Sequence, residues 1–231
     1  MNALAMLLRR PRWLFDRWAG RDAGAIQASP GVKRLALVIV DISGYTGFVR
    51  SQRKTLLHAQ EIIAQLIEAV IDKATHPLVL NKLEGDAAFL YAELGDREAE
   101  GARDVARQVK KFFACFNAKA QELSASRSSC PCEACQRIRG LKLKAVLHSG
   151  VAGFRSIRQF EELTGEDVIL VHRLLKNTIP AKEYVLMTEE FHRLAGDVPQ
   201  SRAQNHEERY EDLGSFRVKV FFPELEGFGG R

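Results

Sequence analysis

The pattern of apolar and polar positions along the chain becomes regular at Lys33. Residues 34–40, RLALVIV, are a nearly continuous apolar run rich in β-branched side chains, which predicts a strand buried on both faces. The polar, glycine-bearing segment DISGYTGF follows directly and predicts a turn at the end of this strand. Residues 54–74 then repeat apolar side chains at steps of three and four without internal glycine or proline, which predicts an amphipathic helix.

The middle of the chain alternates between strand and helix patterns. Residues 76–93 predict two strands joined by a tight turn at Glu84–Gly85–Asp86. Residues 97–123 predict a second long helix with valine and phenylalanine side chains on its apolar side. A polar and basic segment without periodicity, residues 124–140, interrupts the pattern, and residues 141–150 return to a strand.

The remaining residues complete the order of elements. They predict a helix over 165–177, a strand over 183–188, a short helix over 189–195 and a closing hairpin over 209–225. Strand–helix–strand units interrupted by hairpins favour an α+β fold, in which helices cover a largely antiparallel sheet.

Composition limits the class of protein. The chain has 231 residues, of which 46% are apolar and 27% charged, as in globular proteins; a disordered or fibrous chain is therefore excluded. This length predicts one domain with an appendage, or two very small domains. The net charge of +5 is a mild excess, which permits anionic partners, but we expect no nucleic acid.

The N-terminal segment differs from the rest of the chain. Residues 1–32 predict a basic, aromatic helical appendage with a linker, and residues 33–231 predict the domain itself. The apolar stretch before Arg9 is too short to span a membrane and lacks a cleavage site, so a cytoplasmic protein is expected. Arginines interleaved with Trp13 and Trp18 are typical of interfacial helices. Weak contact with a membrane or partner is one interpretation, and packing on the domain or on a dimer mate is the other.

Two carboxylates fall where strands end. Asp41 is the first polar residue after the apolar strand, and Asp86 lies in the turn of the following hairpin. If the two strands are neighbours, these side chains meet at one sheet edge, where paired hard oxygen ligands suit Mg²⁺. The alternative interpretation is a strand cap and an ordinary turn aspartate.

Three of the four cysteines form a Cys-x-Cys-x-x-Cys cluster: Cys130, Cys132 and Cys135. Three thiolates within six residues are a suitable partial ligand set for Zn²⁺ or an iron–sulfur cluster, but a fourth ligand is missing nearby in the sequence. Cys115 is a candidate, although its aromatic neighbours favour a buried helix position. Redox-active thiols and unliganded cysteines remain alternatives.

Four segments in register resemble the class III nucleotidyl cyclases, the catalytic domains of adenylyl and guanylyl cyclases. They are VDISGYTGF (40–48), NKLEGDAAF (81–89), LKAVLHSGVAGF (143–154) and ELTGEDVILVHRL (162–174). The resemblance covers about residues 30–228 and implies a ferredoxin-like cyclase sandwich, with a mostly antiparallel sheet flanked by helices. The cysteine-bearing insertion resembles that of a divergent bacterial subgroup of cyclase-like proteins.

The resemblance also implies a reaction and its residues. Asp41 and Asp86, with the backbone of Ile42, would hold two Mg²⁺ or Mn²⁺ ions on a nucleoside triphosphate. The ribose 3′-hydroxyl would attack the α-phosphorus and release pyrophosphate. Arg173 matches the arginine that stabilises the transition state. In this family the active site lies between two subunits, so a homodimer is implied.

Base recognition is implied at two further positions. Lys82 matches the purine-reading lysine of adenylyl cyclases, and Glu162 stands where the partner carboxylate lies, so ATP is favoured. The remaining nucleotide-binding positions implied by the resemblance are Gly44, Tyr45, Thr46, Gly47, Phe48 and Lys219.

One position departs from the family pattern. Ile169 replaces an asparagine that orients the ribose, and losing such a contact costs on the order of 10²–10³ in rate. The sequence therefore predicts a cyclase, and Ile169 is compatible with slow turnover. The alternative is a catalytically degenerate domain that serves as a nucleotide-binding or metal- and redox-sensing regulatory dimer.

Overall fold

The computed structural model describes residues 31–49, 53–198 and 201–223. In these ranges the strands are β1 Val32–Ser43, β2 Val79–Glu84, β3 Ala87–Glu93, β4 Lys142–Ile157, β5 Phe160–Thr164, β6 Tyr184–Thr188, β7 Ser201–Tyr210 and β8 Gly214–Pro223. The helices are α1 Tyr45–Val49, α2 Arg53–Ile71, α3 Glu98–Ser126, α4 Glu133–Gln136, α5 Glu166–Leu174 and α6 Glu189–Ala195, and a 3₁₀ turn spans Ile138–Gly140.

All of these strands belong to one eight-stranded sheet. Seven lie in the order β2-β3-β1-β4-β6-β8-β7, and β5 pairs with the distal part of β4. The pairing of β4 with β6 is parallel, and the other pairings are antiparallel. The mostly antiparallel α+β fold predicted from the sequence is therefore confirmed.

The central strand β1 shows why the sheet needs helices on both faces. Side chains from its six fully buried positions alternate between two apolar cores, because successive residues of a strand point to opposite faces. Ala36, Val38 and Val40 pack in the core that includes α2, α3 and α6. Leu35, Leu37 and Ile39 pack in the core that includes α5.

The long apolar patterns predicted their elements well. Helix α2 and helix α3 begin and end within three residues of the predicted bounds. Strand β4 runs past the predicted end to Ile157 and turns into β5, a hairpin that the sequence analysis did not include. The segment 124–140 contains α4 and a 3₁₀ turn, so it is more ordered than its lack of periodicity indicated.

The predicted N-terminal appendage falls almost entirely on residues 1–30, which lie outside the described residues. Strand β1 begins at Val32, one residue ahead of the predicted start of the domain. Among the helices of the described ranges, none combines the length and apolar character needed to cross a membrane.

Candidate functional site

The two carboxylates that the sequence singled out lie at the same end of two paired strands, Asp41 in β1 and Asp86 in the turn before β3. The register of β1 and β3 places Asp41 opposite Ala87, and the amide of Ile42 donates to the carbonyl of Asp86 at 3.3 Å. A lysine from β4 completes the group, because Lys144 Nζ lies 3.0 Å from Asp41 Oδ2. Strand pairing therefore brings two acidic side chains and one basic side chain to the same end of the central strands.

The electrostatics of this group favour a further cation. Burial, followed by the charge of Asp41, raises the pKa of Asp86 from 3.8 to about 6, and Lys144 lowers it only in part. Two carboxylates thus share one ammonium group. A divalent cation would relieve their repulsion, and Mg²⁺ prefers oxygen ligands of this kind. The residues present fit the Mg²⁺ or Mn²⁺ ions that the cyclase resemblance implies.

The two predicted base-reading residues form an ion pair within one chain. Lys82 Nζ donates to Glu162 Oε2 at 2.9 Å, and this hydrogen bond is the main cause of the raised pKa of Lys82. Glu84 lies 3.5 Å from the same ammonium group and 3.2 Å from His172 Nε2. A continuous polar network therefore joins β5, β2 and α5.

Helix α5 carries Ile169 and Arg173 one turn apart, and residues four apart lie on the same helix face. The Ile169 side chain is 52% exposed. Arg173 Nη2 donates to Asp212 Oδ2 at 2.7 Å, and both of these side chains are half exposed. Arg173 is thus accessible and held by one surface ion pair.

The turn after β1 is anchored by its aromatic residues. Gly44 adopts a φ of 95°, which favours glycine, and its carbonyl accepts from the amide of Phe48 at 3.1 Å. Phe48 is buried and Tyr45 packs against the same core, whereas Gly47 is exposed. The side chain of Thr46 lies outside the described part of the structure.

The structure does not bring Lys219 to this group in one protomer. Its neighbours Val218 and Val220 pack in the core with α5, so alternation directs Lys219 to the opposite face of the sheet. There Lys219 Nζ donates to Asp197 Oδ1 at 2.6 Å and lies 3.4 Å from His192 Nε2. It lines a cavity of about 470 Å³ whose lining includes none of the other predicted site residues.

The three clustered cysteines meet around a histidine that the sequence analysis did not include. His58, on α2, lies with its Nδ1 3.6 Å from Cys130 Sγ, 3.3 Å from Cys132 Sγ and 3.7 Å from Cys135 Sγ. These four side chains could hold a metal ion. Cys115 lies on α3 and is not a member of the group.

The thiols of the cluster differ in acidity. Hydrogen bonds from the backbone and side chain of Cys132 lower the pKa of Cys130 to about 7. Burial, followed by the neighbouring thiols, raises the pKa of Cys135 to about 12. No short-range spacing signal marked His58 as their partner, because it precedes Cys130 by 72 residues.

Several solved structures with the same fold are nucleotidyl cyclases. The adenylyl cyclase CyaB from P. aeruginosa matches with a TM-score of 0.62 and 15% identity, over 87% of this chain and 100% of that one. The guanylate cyclase domain of RhGC from Catenaria anguillulae, solved in complex with GTP, matches with a TM-score of 0.55 and 12% identity, over 84% of this chain and 100% of that one. At these identities the likeness establishes the fold alone.

Sequence relatives give the family. The uncharacterized protein Rv2561/Rv2562 of Mycobacterium tuberculosis (strain ATCC 25618 / H37Rv) is 37% identical over 127 residues, which is 55% of this chain and 57% of the relative. The chain therefore spans little more than half the length of that relative. The profile of the family described as "Protein of unknown function (DUF2652)" matches residues 63–184, more than half of the chain. This segment includes Lys82, Asp86, Glu162 and Arg173, and the chain belongs to the DUF2652 family.

Proposed function

We propose that this protein is a nucleotidyl cyclase-like enzyme that converts ATP to a cyclic nucleotide and pyrophosphate at a homodimer interface. The observation that carries the proposal is the pair of carboxylates, Asp41 and Asp86, held together at one edge of a cyclase-type sheet by strand pairing. Burial, followed by the neighbouring charge of Asp41, raises the pKa of Asp86, and a bound cation would favour its ionised form.

The reaction is an in-line displacement at the α-phosphorus. A bond forms between the ribose O3′ and the α-phosphorus, the bond to the bridging oxygen of the β-phosphate breaks, and pyrophosphate leaves with that electron pair. The hydroxyl proton passes to solvent. Two Mg²⁺ or Mn²⁺ ions held by Asp41 and Asp86, with the backbone of Ile42, would activate the hydroxyl and neutralise phosphate charge.

The remaining residues act by position and charge. Arg173 is half exposed and can exchange Asp212 for the charge that develops on the α-phosphate. Residues Gly44 to Phe48 follow Asp41 closely at the end of β1, where phosphate oxygens would lie.

Lys82 and Glu162 suit adenine recognition. Their ion pair places a cationic donor and a carboxylate acceptor 2.9 Å apart, and adenine presents a ring-nitrogen acceptor and an amino donor. We therefore expect Lys82→Glu to weaken the preference for ATP over GTP, and an unchanged preference would remove Lys82 from the base site.

The environment of Ile169 supports the alternative, a nucleotide-binding domain without turnover. Its exposed apolar side chain cannot supply the polar contact to the ribose that an asparagine would provide. The alternative thus shares the nucleotide and the dimer with the proposal and differs only in chemistry.

One assay separates the two. The purified protein is incubated with each of the four nucleoside triphosphates and Mg²⁺ or Mn²⁺, and cyclic product is measured by mass spectrometry alongside calorimetric binding of the triphosphate. Formation of a cyclic nucleotide that Asp41→Ala abolishes supports the enzyme. Binding of ATP without product supports the regulatory domain. The absence of both binding and product would overturn both proposals.

A further inference from the structure

The His58–cysteine cluster lies where two parts of the domain meet. His58 belongs to α2, whereas Cys130 follows α3. Cys132 is the N-cap residue of α4, and Cys135 lies within that helix. The four potential ligand atoms, one nitrogen and three sulfurs, all lie within 4.8 Å of one another. The group is separate from the carboxylates and the ion pair of the proposed active site.

Hydrogen bonding alone does not explain this arrangement. Three sulfur atoms surround the same nitrogen, His58 Nδ1, at 3.3, 3.6 and 3.7 Å. An imidazole nitrogen carries at most one proton or one lone pair, so it can make one good hydrogen bond and not three. Convergence of three thiols on one nitrogen is instead the pattern of ligands around a common ion.

The size of the cluster selects a single ion. Zn²⁺ binds cysteine sulfur at about 2.3 Å and histidine nitrogen at about 2.0–2.1 Å, so a tetrahedral site separates nitrogen and sulfur by about 3.6 Å. The three distances from His58 Nδ1, 3.3 to 3.7 Å, bracket that value. An iron–sulfur cluster distributes its ligands over several irons and would need a wider group.

The surroundings support thiolate ligands. The amide of Cys135 donates to Cys132 Sγ at 3.4 Å, and the Arg127 guanidinium hydrogen-bonds to the Cys135 side chain. Three thiolates and one Zn²⁺ carry a net charge of −1, and the arginine, which also pairs with Glu61 Oε1 at 2.7 Å, lies beside this charge. Cys135 is only 4% exposed, so one side of the site is closed to water.

We propose that His58 Nδ1 and the thiolates of Cys130, Cys132 and Cys135 bind one Zn²⁺ ion in a tetrahedral site that fastens the 124–140 segment to α2. Three cysteines and one histidine complete the coordination, which is typical of structural rather than catalytic zinc. The thiols release their protons to solvent as the metal binds. The site does not depend on whether the protein cyclises nucleotides.

Metal analysis of the full chain tests this directly. Protein purified without chelators should contain about one zinc ion per chain, as measured by elemental mass spectrometry. His58→Ala and Cys132→Ser should fall well below that ratio, whereas the matched control Cys115→Ser should keep it. Replacing zinc by Co²⁺ should give the intense visible absorption of a tetrahedral ion with sulfur ligands.

A second variant keeps the proposal testable if these proteins do not fold. His58→Cys supplies four thiolates, so it should retain zinc and alter the Co²⁺ spectrum. His58→Phe should retain neither zinc nor Co²⁺. Wild-type protein that remains free of zinc after reconstitution overturns the proposal. Stoichiometric iron, a disulfide within the cluster, or equal zinc loss from Cys115→Ser would overturn it as well.

Discussion

The Asp86 carboxyl lies in a partly buried position beside Asp41, and both burial and the Asp41 charge raise its pKa to about 6. At neutral pH the folded protein therefore holds an anion that its own surroundings disfavour. Lys144, bound to Asp41 at 3.0 Å, compensates only part of this charge. The arrangement sacrifices stability at a position where a divalent cation would restore it.

Removing this charge should stabilise the protein in buffer without added divalent cations. Because the folded pKa of Asp86 exceeds its ordinary 3.8, its stabilising contribution is complete below that value and is lost as the pH rises through about 6. We expect Asp86→Asn to raise the free energy of unfolding by about 1–2 kcal/mol near pH 7.5, after allowing for solvent screening. Urea unfolding at about pH 5 and pH 7.5 measures the difference, which should grow with pH.

The control for this prediction is Asp72→Asn, at the exposed position directly after α2. It should change the free energy of unfolding by less than about 0.5 kcal/mol at both pH values. A loss of stability in Asp86→Asn near pH 7.5 would show that the fold favours this carboxylate, contrary to the effect expected from its burial and from the Asp41 charge.

Ile169 offers a test of the chemistry at a position that the fold does not need. Its side chain is 52% exposed, so Ile169→Asn should leave stability nearly unchanged. If the amide orients the ribose, we expect kcat for cyclic product to rise by on the order of 10²-fold. Ile169→Ala, which removes the apolar side chain without adding an amide, should leave kcat near the wild-type value. Equal rates for the two variants would contradict the assigned role.

The residues of the site differ in how far the sequence could predict them. Asp41 ends a recognisable strand pattern and Asp86 lies in a recognisable hairpin turn, so their proximity followed from pairing of the two strands. Lys144 became the partner of Asp41 only through the register of β1 with β4, which joins segments about a hundred residues apart. His58 was missed because its helix was identified from apolar spacing, and a single polar position there carries no metal signal.

Helix α5 is held against β4 by a contact between an aspartate and a glycine-containing strand. Asp167 accepts from the amide of Val151 at 2.6 Å and lies 2.9 Å from His148 Nε2. These hydrogen bonds lower the pKa of Asp167, with His148 as the main cause. A Cβ atom added at Gly150 would lie 2.2 Å from the Asp167 carboxyl group. The close approach of helix and strand therefore requires glycine.

Gly150→Ala should consequently destabilise the domain and displace the start of α5. The added methyl group also falls 2.6 Å from Asp167 Cβ, so rotation of the carboxylate alone does not relieve the overlap. We expect a loss of about 1–3 kcal/mol in the free energy of unfolding, measured with urea. The matched control is Gly140→Ala, where an added Cβ meets nothing within 4 Å. Equal stability of the two variants would show that α5 adjusts without cost.

Secondary-structure elements were predictable where their burial requires a recognisable run or spacing of apolar residues. The apolar run of β1 and the spaced apolar residues of α2 identified both. Strand β7 is largely exposed, and its sequence SRAQNHEERY has no apolar alternation, so only the C-terminal part of its hairpin was predicted. The β4–β5 hairpin was missed for a similar reason, because the residues at its turn are exposed.

At the scale of the whole molecule, most of the exposed large apolar side chains in the described ranges lie on β2, β4, β5 and α5, and three of these elements carry the proposed base and arginine positions. The half-exposed residues on β2, β4, β5 and α5 are Leu83, Val151, Ile157, Phe160 and Ile169. Apolar side chains exposed on neighbouring elements are typical of protein interfaces. They support a homodimer in which one subunit supplies Asp41 and Asp86 and the other supplies Lys82, Glu162 and Arg173.

Such a shared site predicts complementation between inactive variants. One subunit carries Asp86→Ala and the other carries Arg173→Ala, and two different affinity tags isolate the mixed dimer after co-expression. In a two-fold dimer one site then receives both substitutions and the other receives neither. We expect each single variant to be inactive and the mixed dimer to show about half of the wild-type rate of cyclic product formation.

The informative control pairs two variants from the same group of residues. A mixed dimer of Asp41→Ala and Asp86→Ala has one damaged carboxylate in each site, so it should remain inactive although its subunits associate equally well. If Arg173 instead served the carboxylates of its own chain, the Asp86→Ala and Arg173→Ala dimer would also have one defect in each site. Its inactivity, with dimer formation confirmed by the two tags, would assign the complete site to a single subunit.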